Sequence, residues 1–228
     1  MTPRESIDLA HFDSDGALQE TGAALDADTR GAFFRKAGVA ALGVAGTSAF
    51  LGGLPSLAFG ASIPKSDIAI LNFALTLEYL EAEFYRQAKG NIPAGTAREL
   101  ASLISDHEDA HVKALKGVLK SKAVKKPKFD FGNAVTDLPT FLKTAFTLEN
   151  TGVHAYLGQA GKLKTPALLG AAASIVTVEA RHSAAIALVT DQSRIKGPGG
   201  IAPQGGFDTP KSKAAILKAV KATGFIKG

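Results

Sequence analysis

The chain has 228 residues, 26 Lys and Arg against 21 Asp and Glu, a formal net charge of +5, and 46% hydrophobic residues. It has no cysteine and a single methionine, Met1, which excludes disulfides, thiolate-held metals, iron–sulfur clusters and a Met-ligated haem. No nucleic-acid-binding motif accompanies the basic balance, so nucleic acid is not an expected partner and the lysines read as a solvated surface.

Residues 1–29 hold seven acids and one base with few large apolar side chains, and read as a disordered acidic extension. Residues 30–61 begin with Arg30, Arg35 and Lys36 and lead into an uncharged Gly/Ala-rich run that extends from Ala37 to Pro64. A basic start, an apolar middle and the small residues Ala58, Gly60 and Ala61 at its end predict an export signal, hence a periplasmic or cell-envelope location. The length also suits a retained membrane anchor over residues 37–61, which is the alternative. The layout resembles a twin-arginine signal, except that Gly31 stands where the second arginine belongs.

From residue 62 to 196 the apolar residues recur at helical spacing, and the ends of four helices are marked. The first is expected to start at Ser66 as N-cap and to stop near Lys89, before Gly90 and Pro93. The second opens on Thr96-Ala97-Arg98-Glu99, a capping-box pattern, and runs to about Lys120. Asp137 caps the third, with Pro139 in its first turn and Gly161 at its end, and Thr165-Pro166 opens the fourth, which fades by Gly197. Between helices 2 and 3 lies a basic, Pro-containing connection, residues 121–136. Fully extended at ~3.3 Å per residue it reaches about 50 Å, more than the roughly 36 Å length of the helices themselves. The predicted fold is therefore an all-α four-helix bundle with a long crossover between helices 2 and 3. Residues 197–228 read as a Gly/Pro loop and a short amphipathic helix from Thr209-Pro210 to about Ala222, with Ile216, Val220 and Phe225 placed to dock on the bundle.

Inside the bundle one chemical layout occurs twice. Glu78 is followed by Glu108-x-x-His111, and Glu149 by Glu179-x-x-His182, with 30 residues from lone to paired glutamate in each copy. Two of the three tyrosines, Tyr85 and Tyr156, each lie seven positions after a lone glutamate. Glu at i and His at i+3 share a helix face and converge on one point. The neighbours on these faces are apolar: Leu71, Leu75 and Ala82 around Glu78, and Leu142, Phe146 and Val153 around Glu149. Four carboxylates interrupting four apolar faces at one depth would each be costly to bury unpaired, by several kcal/mol. Two divalent cations balance them, with neutral imidazoles completing the coordination, so the pattern predicts a carboxylate-bridged two-metal site of Glu78, Glu108, His111, Glu149, Glu179 and His182. Glu81, one turn beyond Glu78, is an additional or substitute ligand candidate, although the repeat places Gly152 opposite it in register. His107 lies about 100° around the helix from Glu108, and His154 lies off the ligand stripe. Glu83 reads as a solvated charge.

The order Glu, Glu-x-x-His, Glu, Glu-x-x-His resembles the ferritin-like superfamily that includes bacterioferritin, rubrerythrin and manganese catalase. Segments such as Leu71-Asn72-Phe73-Ala74-Leu75, Glu83-Phe84-Tyr85 and Val178-Glu179-Ala180-Arg181-His182 look most like exported ferritin-like domain proteins related to plant desiccation-related proteins. The resemblance covers about residues 66–195. It implies that Glu78 and Glu149 are terminal ligands, that Glu108 and Glu179 bridge two metals, and that His111 and His182 cap one metal each. Tyr85 and Tyr156 match tyrosines that stand behind the ligands in that superfamily. One position departs: many relatives carry an acid directly before each paired glutamate, orienting the opposite histidine, where this chain has His107 and Val178.

The expected cofactors are two divalent ions, iron or manganese, although mixed carboxylate and imidazole ligands suit zinc as well. The expected activity is redox chemistry of peroxidase, catalase or ferroxidase type, with metal ions and a small oxidant as partners and Tyr85 or Tyr156 assisting. The alternative is a non-catalytic stress-protective or metal-sequestering protein. Association with a membrane through the N-terminal segment and assembly into homo-oligomers are both left open.

Overall fold

The computed structural model describes residues 63–191, 195 and 197–227. The acidic extension and the export or anchor segment inferred for residues 1–61 lie outside the described residues. Among the described residues are five α-helices: α1 (Lys65–Asn91), α2 (Thr96–Leu119), α3 (Leu138–Ala160), α4 (Pro166–Thr190) and α5 (Lys213–Thr223). The all-α expectation holds, and among the described residues the strands amount to two two-residue segments, β1 (Lys128–Phe129) and β2 (Ile226–Lys227), paired antiparallel.

Side-chain contacts fix the topology. Asn72 near the start of α1 bonds both Lys122 and Val124 beyond the end of α2, while Lys89 near the end of α1 reaches Asp106 in α2. The two helices are therefore antiparallel. From Lys122 the connection climbs beside α1: Val124 lies against Asn72 and Tyr79, Lys126 pairs with Glu83, and Phe131 packs edge-on to Phe84. It thus traverses the bundle and delivers α3 to the far end, where Phe141 stacks on Phe84 at 5.4 Å. At the near end the buried carboxylate of Asp67 accepts the backbone N–H groups of Lys164 and Thr165, tying the α3–α4 turn to the start of α1. This is the long-crossover bundle expected from the sixteen-residue connection.

Several helix ends differ from the sequence reading. Helix α1 starts one residue before Ser66, with Pro64 as N-cap and no side-chain cap. Helix α2 has Gly95 as N-cap at φ 132°, so Thr96 already lies in the first turn and the capping box is not made. The carbonyl of Gly95 instead accepts from the Arg98 and Glu99 amides. Asp137 caps α3 as expected, accepting from the Thr140 amide at 3.0 Å. Helix α4 ends at Thr190, well short of Gly197. Helix α5 begins at Lys213, because the Lys211 amide is drawn to the His154 carbonyl and the Thr209 amide to the Gln204 side chain, holding the segment before it out of helical conformation. Ser212 caps it and Gly224 closes it at φ 68°. Ile216 and Val220 of α5 are buried in the core.

By length and composition α4 could cross a membrane. In the bundle it packs along α3 and carries Glu179 and His182 inward, which accounts for the apolar residues of its core face, while Leu169 and Leu188 are exposed.

Candidate metal centre

Each of the four long helices brings one glutamate to the same depth. Glu78, Glu108, Glu149 and Glu179 are each 0% exposed. Two histidines face them. His111 Nδ1 lies 3.2 Å from Glu78 Oε2, 3.2 Å from Glu108 Oε2 and 3.1 Å from Glu179 Oε1. His182 Nδ1 lies 3.2 Å from both Glu108 Oε1 and Glu149 Oε2, and 3.9 Å from Glu179 Oε2.

One ring nitrogen carries at most one proton, yet each Nδ1 is surrounded by three carboxylate oxygens. Four of the oxygens, Glu78 Oε2, Glu108 Oε1 and both of Glu179, are buried without a hydrogen-bond partner. Leaving charged acceptors unpartnered in the interior is strongly unfavourable. A cation bonded to nitrogen and oxygen at about 2.0–2.2 Å holds neighbouring ligand atoms about 3.0–3.5 Å apart, which is the spacing of five of the six nitrogen–oxygen distances here. The ligand atoms form two overlapping groups: Glu78, Glu108, His111 and Glu179 in one, and Glu108, Glu149, Glu179 and His182 in the other. Glu108 and Glu179 belong to both, so a carboxylate from each can lie between two ions. All six glutamates and histidines singled out by the repeat are brought together. The donor set is hard oxygen with imidazole, and it fits two divalent metal ions.

The model for the ferritin-like domain family matches residues 66–192. This chain belongs to the ferritin-like domain family. No curated protein matches it.

The electrostatics of the ferritin-like cluster follow from burial. Burial pushes the Glu108 carboxyl up to about 7 against the pull of His111 and His182, and lifts Glu179 well above the usual carboxylate range with help from Glu108 and Glu149. Burial also tends to raise Glu78, but His111, Glu108 and Tyr156 outweigh it and leave that carboxyl lowered. The imidazoles would be lowered by burial alone; the facing carboxylates instead raise His111 to about 10 and His182 to about 9. In the absence of a cation, protons therefore occupy the cluster in its place.

The tyrosines act across the repeat. Tyr85 of the first half donates to Glu149 Oε1 of the second at 2.5 Å, and Tyr156 of the second donates to Glu78 Oε1 of the first. Both hydroxyls are held well above the ordinary tyrosine range by burial and by the carboxylates they face. They remain protonated donors.

Glu81 is buried beside the cluster but belongs to neither ligand group. Its Oε1 would lie 3.4 Å, an ordinary contact distance, from a Cβ at Gly152, the corresponding place in the second half. Burial and the charges of Glu149, Glu108 and Glu78 raise its carboxyl well above the ordinary range.

Three residues behave otherwise than their sequence setting suggested. His107 does not point away: its Nδ1 lies 2.9 Å from His182 Nε2, on the side of the ring opposite the carboxylates. The signal was its place directly before Glu108, where relatives carry an acid. Glu83 is buried, bonded to Arg86, Gln87 and Lys126, and its carboxyl is lowered to about 2, chiefly by Arg86. It fastens the crossover to α1. His154 is buried away from the cluster and bonds Gln204 at 2.7 Å, pinning the C-terminal loop to α3.

Proposed function

We propose that this ferritin-like domain holds two iron or manganese ions at the paired ligand groups and acts on dioxygen, peroxide or ferrous iron in the cell envelope. The observation that carries the reading is the set of four buried, partnerless carboxylate oxygens gathered around two histidine Nδ1 atoms. When bound, such ions offer adjacent positions for a small oxidant and exchange electrons with it. The chain's own residues supply the rest. Glu108 and Glu179 keep the two positions together, and Glu78 with His111 and Glu149 with His182 complete one each. Tyr156 and Tyr85 hold the terminal carboxylates in orientation and keep two hydroxyl protons beside the cluster. The envelope location is supported by the basic-then-apolar segment of residues 30–61.

The test is turnover by the full chain loaded with iron or with manganese. Peroxide loss or ferrous oxidation should be measurable, and Glu108→Ala should abolish it, since that carboxylate serves both positions.

A second reading, metal sequestration or protection under stress without turnover, is favoured by the depth of the cluster. All four glutamates are fully buried and His111, at 11% side-chain exposure, is the more open of the two histidines. On this reading the ions brace four helices. Loaded protein would show no turnover with either oxidant, and chelation would lower its melting temperature markedly.

A further inference from the structure

The two ion positions are built from a repeated sequence, but their surroundings are not repeated. His182 turns Nδ1 toward Glu108 and Glu149, and its Nε2 meets His107 Nδ1 at 2.9 Å, with the rings 14° from parallel and 5.2 Å apart. An imidazole that offers its Nδ1 lone pair to a cation must carry its proton on Nε2. That proton needs an acceptor, and His107 Nδ1 provides one. Only one assignment satisfies both rings: His182 donates from Nε2, and His107 accepts at Nδ1 while keeping its own proton on Nε2. Were His107 the donor, the His182 proton would be forced onto Nδ1, against the cation.

The other half lacks this device. The residue before Glu179 is Val178, whose side chain has neither donor nor acceptor. Among the described residues His111 makes its polar contacts through Nδ1 alone, to Glu78, Glu108 and Glu179. Among the described residues no side chain accepts from its Nε2.

Resting on the two-ion reading above, we infer that His107 is the positioning residue for His182 and makes the two positions unequal. The position of Glu149 and His182 is pre-organised and fills first; that of Glu78 and His111 is the weaker and exchanges more readily. Partners behind a metal-bound histidine change affinity by about 10–100-fold.

Titration of the metal-free full chain with Mn²⁺ followed by calorimetry, and again with redox-inert Zn²⁺, tests this. Two steps separated by at least about tenfold are expected. His107→Ala should weaken the tighter step by about 10–100-fold and leave the weaker one in place, while His107→Asp, which restores an acceptor, should recover most of the loss. Val178→Asp should strengthen the weaker step, and it tests the same idea with His107 intact should His107→Ala fail to fold. Two ions bound with one indistinguishable affinity, or an unchanged tight step in His107→Ala, or an unchanged weak step in Val178→Asp, would overturn the inference while leaving the two-ion site standing. Absence of any binding would overturn the two-ion reading and the inference with it.

Discussion

The Tyr85 hydroxyl donates to Glu149 Oε1 at 2.5 Å, joining residues 64 positions apart and from opposite halves of the repeat. Tyr156 returns the same bond to Glu78. Each half of the bundle therefore orients the terminal carboxylate of the other, which makes the cluster a property of the assembled four helices and not of either helix pair. Tyr85→Phe leaves a buried carboxylate oxygen without its donor, a loss of about 1.5–3 kcal/mol for a bond to a charged group. Chemical denaturation of the metal-free protein should show that drop for Tyr85→Phe and a comparable one for Tyr156→Phe. Unchanged stability in both would mean these bonds do not hold the cluster.

Metal affinity should fall as the solution is acidified. Without metal, His111 titrates at about 10, His182 at about 9 and Glu108 at about 7, so near neutral pH both imidazoles carry protons that an incoming cation must displace. Each proton released by an incoming ion weakens its binding about tenfold per pH unit lost. Competition with a chelator between pH 6 and pH 8 measures the slope, and a flat profile would contradict the protonation described here.

The metal-free bundle should respond to pH in the opposite sense. Groups whose folded values are raised stabilise the fold below their unfolded values and lose that contribution as pH rises through the folded ones. The raised carboxyls of Glu108, Glu179 and Glu81 make stability decline from about pH 4.5 upward, and the raised imidazoles extend the decline toward about pH 9–10. Melting temperature of chelated protein should therefore be higher at pH 5 than at pH 8, with added metal reversing the order.

At Gly158 the C-terminal segment runs close against α3. A Cβ there would lie 1.8 Å from the Lys211 carbonyl oxygen, which is backbone and has little freedom to retreat, while the neighbouring Lys211 amide is bonded to His154. Gly158→Ala should lower stability by about 1–3 kcal/mol through overpacking and loosen α5 from α3. Hydrogen exchange at the amides of residues 213–223 would show the loosening, and unaltered protection would contradict it.

Much of this was legible in the sequence because helical chemistry is local. The 3.6-residue period, Asp137, Pro166 and Gly161 marked elements, and the doubled Glu, Glu-x-x-His spacing marked the six residues that converge. What was not legible depends on contacts between distant segments. The N-cap of α2 went to Gly95, which takes a positive φ and whose carbonyl accepts the Arg98 and Glu99 amides, a choice invisible in the Thr96–Glu99 pattern. Glu83 looked solvated until the crossover placed Lys126 beside it, and His107 looked misdirected because helix geometry alone says nothing of the partner on α4. Glu81 was ambiguous in sequence for the same reason, since its neighbour Gly152 lies on another helix.

The central claim is that the four buried glutamates and two histidines bind a pair of ions, and metal content tests it most directly. The full chain, purified from cells supplied with iron and manganese, should carry close to two ions per chain by mass spectrometry, and Glu108→Ala and Glu179→Ala, each removing a carboxylate common to both positions, should lose both. A wild-type chain that is folded, free of metal and unable to take it up would contradict the account.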